Sequence, residues 1–160
     1  MAIQVGEKIP SLKVRIVTQD GQAESTTDEL FGGKKAVLFA LPGAFTPTCS
    51  AQHLPGFVDN SAAFKAKGVD AVYCLSVNDA FVMDAWAKDR NVGDHVTLIA
   101  DGSAEFTQAV GLVMDGTNFG MGTRSQRYAL IAEDGVVKHL AVEKPMKFEV
   151  SSADAILGSL

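Results

Sequence analysis

Apolar and polar residues alternate from Leu12 to Thr18 and stop at Asp20-Gly21, which predicts a strand entering a hairpin. Thr27 to Phe31 reads as a single helical turn, stopped by Gly32-Gly33. Ala36 to Leu41 is apolar without a break, the pattern of a strand buried on both faces. A helix is predicted from Pro47 to Lys67, because proline suits an early helical position and Gly68 ends it. Pro55 lies inside that helix and is expected to kink it. Val69 to Val77 is a second buried strand. Asn78 or Asp79 caps the next helix, whose apolar residues Phe81, Val82, Ala85 and Trp86 are placed on one face. Val96 to Ala100 is a strand, Ser103 caps a short helix to Val110, and Gly111 to Thr123 is an irregular glycine-rich stretch. Tyr128 to Ala132 and Val136 to Val142 form a hairpin around Glu133-Asp134-Gly135. Ser151 or Ser152 caps a last helix ending near Leu157. Strands that alternate with helices, then a hairpin and a helix, predict an α/β fold with a mixed central sheet flanked by helices.

Composition narrows the picture. The chain has 160 residues without a repeat or linker, so one domain spanning 1–160 is expected. Its 47% hydrophobic and 21% charged residues describe a folded globule rather than a disordered chain. The net charge of −5 and the lack of a basic stripe argue against nucleic acid. The longest apolar run is far short of the ~20 residues of a membrane span, and the N-terminus does not read as a secretory signal. Only Cys49 and Cys74 are present, so no disulfide framework is implied; a soluble protein of a reducing compartment, the cytoplasm, is expected.

The chemistry concentrates in Pro42-Gly-Ala-Phe-Thr46-Pro-Thr-Cys49, between a buried strand and a helix start. A cysteine in a first helical turn faces unpaired N–H groups and the positive end of the helix dipole. Both favour the thiolate, which is the nucleophile. Cys74 sits inside an apolar strand and reads as a small buried hydrophobe. His53 follows Cys49 by four residues and shares its helix face. It is read as a supporting residue: a hydrolase pair also needs an orienting group, and a structural metal site needs about four ligands, which His95 and His139 do not complete. The glycines at 111, 116, 120 and 122 form no phosphate cradle, since no Gly-Lys-Ser/Thr follows them. On the residues alone, Thr46 reads as a helix cap, Pro42 as a strand terminator or a shield for the sulfur, and Arg127 as one half of a surface salt bridge.

These residues resemble the peroxiredoxin signature, in which a proline, three residues, a threonine and two residues precede the reactive cysteine: here Pro42, Thr46 and Cys49. Ser50, His53-Leu-Pro-Gly-Phe57 and Leu75-Ser-Val-Asn-Asp-Ala-Phe81 extend the resemblance to the peroxiredoxin-five, or type II, subfamily. Arg127, before Tyr128, is similar to that family's active-site arginine, with Arg124 the reserve candidate.

The resemblance implies a thioredoxin-like fold and reduction of hydrogen peroxide and alkyl hydroperoxides by Cys49, without cofactor or metal. Thr46 would hold the peroxide in line, Arg127 would stabilise thiolate and leaving oxygen, and Pro42 would shield the sulfur. Some family members carry a resolving cysteine near the C-terminal end, where this chain has Ser151-Ser152. Glutathione and glutaredoxin are therefore the expected reductants, with thioredoxin as another donor. A homodimer is expected, covering Phe45, Phe81 and Phe119. The alternative function is a peroxide-sensing switch or chaperone-like binding protein using the same cysteine.

Overall fold

The computed structural model describes residues 1–160. β1 (Lys13–Thr18) and β2 (Gly21–Thr26) pair as the predicted hairpin. Thr26 caps α1 (Thr27–Phe31), its hydroxyl accepting the Glu29 N–H. β3 (Lys35–Leu41) follows. The Pro47–Lys67 helix is real but broken, with a π turn over Cys49–His53, then α2 (Leu54–Asp59) and α3 (Ser61–Ala66). Beyond come β4 (Ala71–Ser76), α4 (Ala80–Asp89), β5 (Thr97–Ala100) and α5 (Glu105–Val110). The chain ends with β6 (Val113–Asp115), β7 (Thr123–Ser125), β8 (Tyr128–Glu133), β9 (Val136–Val142) and α6 (Ala153–Leu157).

Seven strands form one sheet in the order β2-β1-β5-β4-β3-β8-β9. β3 runs parallel to β4 and β4 to β5, while β1 and β8 add to this centre antiparallel. β3 is apolar throughout because both its faces are covered. Val37, Phe39 and Leu41 join one core with α2, α3, α4 and α6; Ala36, Leu38 and Ala40 join the other with α1 and α5. Phe39, Phe57 and Phe64 stack in series in the first core, with ring centroids 4.0 Å and 5.4 Å apart. This core also holds Cys49 and Cys74. No helix is long and apolar enough to cross a membrane.

Three local expectations are corrected. Ser103 does not cap α5. Ala104 precedes that helix with φ 59°, and the Asp101 carboxylate accepts the N–H groups of Phe106 and Thr107 instead. The buried face of α4 is Ala80, Met83 and Trp86, while Phe81 is exposed; the helix is turned so that its single tryptophan reaches the sheet. Gly111 to Thr123 is not wholly irregular, since β6 and β7 pair as a small ribbon around a 3-10 turn at Thr117–Phe119.

Candidate active site

Pro42 leaves the end of β3, and Pro47 is the first residue of the helix that follows. Two contacts shape the loop between them. The Asn78 side chain accepts the Ala44 N–H at 3.0 Å, and the Thr46 hydroxyl donates to the Gly43 carbonyl at 2.7 Å. Glycine at 43 leaves room for these neighbours: a Cβ there would stand 2.8 Å from an Arg124 nitrogen and 3.1 Å from the Thr46 methyl, so the arginine end would have to move. Because the Thr46 proton is used on Gly43, its oxygen keeps lone pairs with which to accept a further hydrogen bond.

Cys49 is the third helical residue and is fully buried. The π turn starts on it, with the Leu54 N–H donating to the Cys49 carbonyl. Pro55 comes next. It has no N–H for the Ala51 carbonyl, and its ring would crowd that carbonyl in a regular α-helix, so the wider turn relieves the proline. Ser50 is buried beside Cys49, and its hydroxyl accepts the Trp86 indole N–H at 3.0 Å, tying this turn to α4.

Arg127 precedes β8, at the edge of the same core. Its Nη2 donates to Cys49 Sγ at 3.0 Å, and its Nη1 donates to His53 Nδ1 at 2.8 Å. Arginine has no acceptor, so His53 Nδ1 must be the bare nitrogen. His53 Nε2 then carries the proton and donates to the Ser151 carbonyl at 2.9 Å. Burial, with the Arg127 charge added, lowers the His53 pKa from 6.5 to about 3 against the opposing Ser151 hydrogen bond and Glu143 charge. The ring is therefore neutral at physiological pH and acts as an acceptor for the guanidinium. Phe148 lies over both groups, 4.9 Å from the His53 ring and 5.7 Å from the Arg127 guanidinium carbon.

The four residues singled out in the sequence thus divide. Cys49 and Arg127 touch directly. Thr46 and Pro42 belong to the loop that leads into the Cys49 helix. Arg124 serves the loop instead of the sulfur: it donates to the carbonyls of Pro42 at 3.2 Å and Met121 at 2.9 Å, and so pins the loop. Cys74 is fully buried on β4, paired in register with Phe39, and both cysteines are free thiols. Burial pushes the Cys74 thiol pKa up, and negative charge on Cys49 adds to the effect against Arg127. Sequence reasoning missed Glu143, Phe148 and Ser151 as neighbours of the site. Nothing in their local pattern announces it, because the contacts run between segments 98 residues apart, from His53 to Ser151.

Comparison with known proteins places the chain in a family. The Redoxin family profile matches residues 4–157. The chain is 50% identical to Peroxiredoxin-2E-2, chloroplastic, of Oryza sativa subsp. japonica, over 99% of this chain and 72% of that protein. It is 45% identical to Peroxiredoxin-2B of Arabidopsis thaliana, over 99% of this chain and 98% of the relative. The structure of reduced Prx3 of Vibrio vulnificus in complex with hydrogen peroxide superposes with a TM-score of 0.93 at 50% identity, covering 98% of each chain. Likeness of this extent, in sequence and in the thioredoxin-like fold, means that the chain belongs to the peroxiredoxin family and is a thiol peroxidase.

Proposed function

We propose that the chain is a type II peroxiredoxin that reduces hydrogen peroxide and small alkyl hydroperoxides at Cys49 through a one-cysteine cycle. The observation that carries this reading is the 3.0 Å contact from Arg127 Nη2 to Cys49 Sγ. A fixed cation on the sulfur favours the thiolate and stands where charge develops on the leaving oxygen. The thiolate attacks one peroxide oxygen; the S–O bond forms as the O–O bond breaks. The other oxygen leaves with the electron pair, takes a proton and departs as water or alcohol. Thr46 accepts from the peroxide proton and holds the O–O axis in line with the sulfur. Pro42, which lacks an N–H, offers no donor to compete for the sulfur. Cys49 is left as a sulfenic acid.

A thiol must then return it. No cysteine follows Cys74, and Ser151 and Ser152 stand in the C-terminal region. Glutathione condenses with the sulfenic acid, releasing water and leaving a mixed disulfide. Glutaredoxin with further glutathione then frees the Cys49 thiol. A donor-by-donor peroxidase assay tests this cycle. Sustained turnover is expected with glutathione plus glutaredoxin. Turnover with thioredoxin alone would replace that donor, and oxidation that stops after one peroxide per subunit would point to a sensor.

The same reading includes a homodimer in a reducing compartment such as the cytoplasm. Phe45, Phe81 and Phe119 are 52%, 78% and 72% exposed. Phe45 also holds a left-handed φ of 64°, a strained backbone for a bulky residue in the active-site loop. Large exposed aromatics of this kind favour a covering partner. Sedimentation of the reduced protein at micromolar concentration is expected to give a dimer, and a monomer would remove this part of the proposal.

A further inference from the structure

The Glu143 carboxylate is buried, 7% exposed, yet it faces no cation in an ion pair. Its partners are backbone and hydroxyl donors of one short segment. Oε2 accepts the N–H groups of Glu149, Val150 and Ser151 at 2.8 Å each, and the Ser151 hydroxyl at 2.7 Å. Oε1 shares the Glu149 N–H at 2.9 Å. Burial would raise the Glu143 pKa, but these hydrogen bonds to the charged form outweigh it and hold it below the ordinary carboxylate value.

The segment gathered in this way supplies two pieces of the site. The Ser151 carbonyl accepts the His53 Nε2 proton, and Phe148 covers Arg127 and His53. Glu143 is also joined to Arg127 from behind: its own N–H donates to the Arg127 carbonyl at 2.9 Å. One residue thus braces Arg127 at the backbone and, through Ser151 and His53, at the guanidinium.

We propose that Glu143 is a positioning residue for peroxide reduction, which sets the Ser151 carbonyl so that His53 is protonated on Nε2 and presents a bare Nδ1 to orient Arg127 on Cys49. The His53 tautomer is the step that transmits the effect. With Nε2–H held by the Ser151 carbonyl, Nδ1 can accept only from Arg127. If the segment shifts, the ring is free to carry its proton on Nδ1, where it would oppose the Arg127 N–H. The guanidinium would then lose the acceptor that fixes its plane against Sγ. The proposal rests on the roles given above to Cys49 and Arg127.

Glu143→Gln tests it. The amide keeps the size and one acceptor oxygen for the Oε2 place, but it removes the charge those four donors converge on and sets an NH2 against the Glu149 N–H that Oε1 shares. Three readouts are expected to move together. The rate constant for oxidation of Cys49 by hydrogen peroxide falls by about tenfold or more, as for a misplaced catalytic group. In 15N-labelled protein, the His53 ring nitrogens change from a single Nε2-protonated form to a mixture or to the Nδ1-protonated form. In a double-mutant cycle, His53→Gln with Glu143→Gln is no slower than His53→Gln alone, because Glu143 acts through His53. Additive slowing, or an unchanged His53 tautomer in Glu143→Gln, overturns the proposal. If Glu143→Gln does not fold, Ser151→Ala removes one donor and keeps the carbonyl. It is expected to slow oxidation by about threefold, on the scale of one lost hydrogen bond, and to show the same coupling to His53→Gln; independence from His53 overturns the proposal. Arg127→Met separates the two levels. An unchanged rate there means that the reading of Arg127 has failed; a slowed rate with an unchanged tautomer in Glu143→Gln means that only the relay has failed.

Discussion

Cys49→Ser is expected to abolish peroxide turnover, a loss of roughly 10⁴-fold or more, whereas Cys74→Ser keeps turnover within about twofold. The two sulfurs share a core but not an environment. Cys49 receives an N–H from Arg127, in the first turn of a helix, and a thiolate there is supported from two directions. A serine in its place has the same contact but a hydroxyl far too basic to ionise at neutral pH. Cys74 has apolar surroundings on β4, and burial holds its thiol protonated. A disulfide between the two would need Cβ atoms within about 4.5 Å, and both cysteines are free thiols. The cost of Cys74→Ser is therefore stability, about 1–3 kcal/mol for a hydroxyl buried in that core. Peroxide consumption with glutathione and glutaredoxin measures the first effect. Mass spectrometry of the oxidised protein is expected to place glutathione or sulfinic acid on Cys49 and a free thiol at Cys74. If Cys74→Ser loses turnover while the first oxidation of Cys49 stays fast, Cys74 is the resolving thiol and the one-cysteine cycle is wrong.

Legibility in the sequence followed the range of each interaction. β3 was readable because a strand covered on both faces needs no polar alternation, and Val37 to Leu41 divides its side chains between two cores. The hairpins were readable from their turn residues. The Cys49 segment was readable because the loop, the early helical proline and the cysteine are consecutive. Errors arose where two local signals competed. Ser103 stands at a plausible capping position, but Asp101 brings a buried carboxylate to the same N–H groups. On α4, Phe81 and Trp86 are both large apolar residues, and only the sheet decides which one turns inward. The second circle of the site was not readable at all. Glu143, Phe148 and Ser151 belong to a segment with no motif, and their meaning depends on β8 and β9 pairing so that Arg127 and Glu143 lie side by side.

Arg127→Met is expected to slow the reaction of Cys49 with hydrogen peroxide by about 10²–10³-fold, the usual effect of losing one donor to a developing oxyanion. Alkylation by iodoacetamide should slow less. Alkylation needs only the thiolate, and its leaving iodide has no need of a hydrogen-bond donor. Peroxide reduction needs the thiolate and also a charge beside the departing oxygen, so the arginine acts on it twice. Methionine is a suitable replacement because its unbranched chain resembles the arginine stem and carries neither charge nor N–H donor. It also leaves His53 Nδ1 without the N–H it accepts at 2.8 Å, in a buried place, so a drop in thermal stability is expected beside the kinetic one. Arg127→Lys distinguishes charge from geometry. A lysine restores a cation but has no planar fork, so it cannot serve His53 Nδ1 and Cys49 Sγ at the separation a guanidinium spans. Recovery of alkylation without recovery of peroxide reduction is the expected pattern. Equal slowing of both reactions in Arg127→Met would limit the arginine to thiolate formation and leave the departing oxygen to another donor.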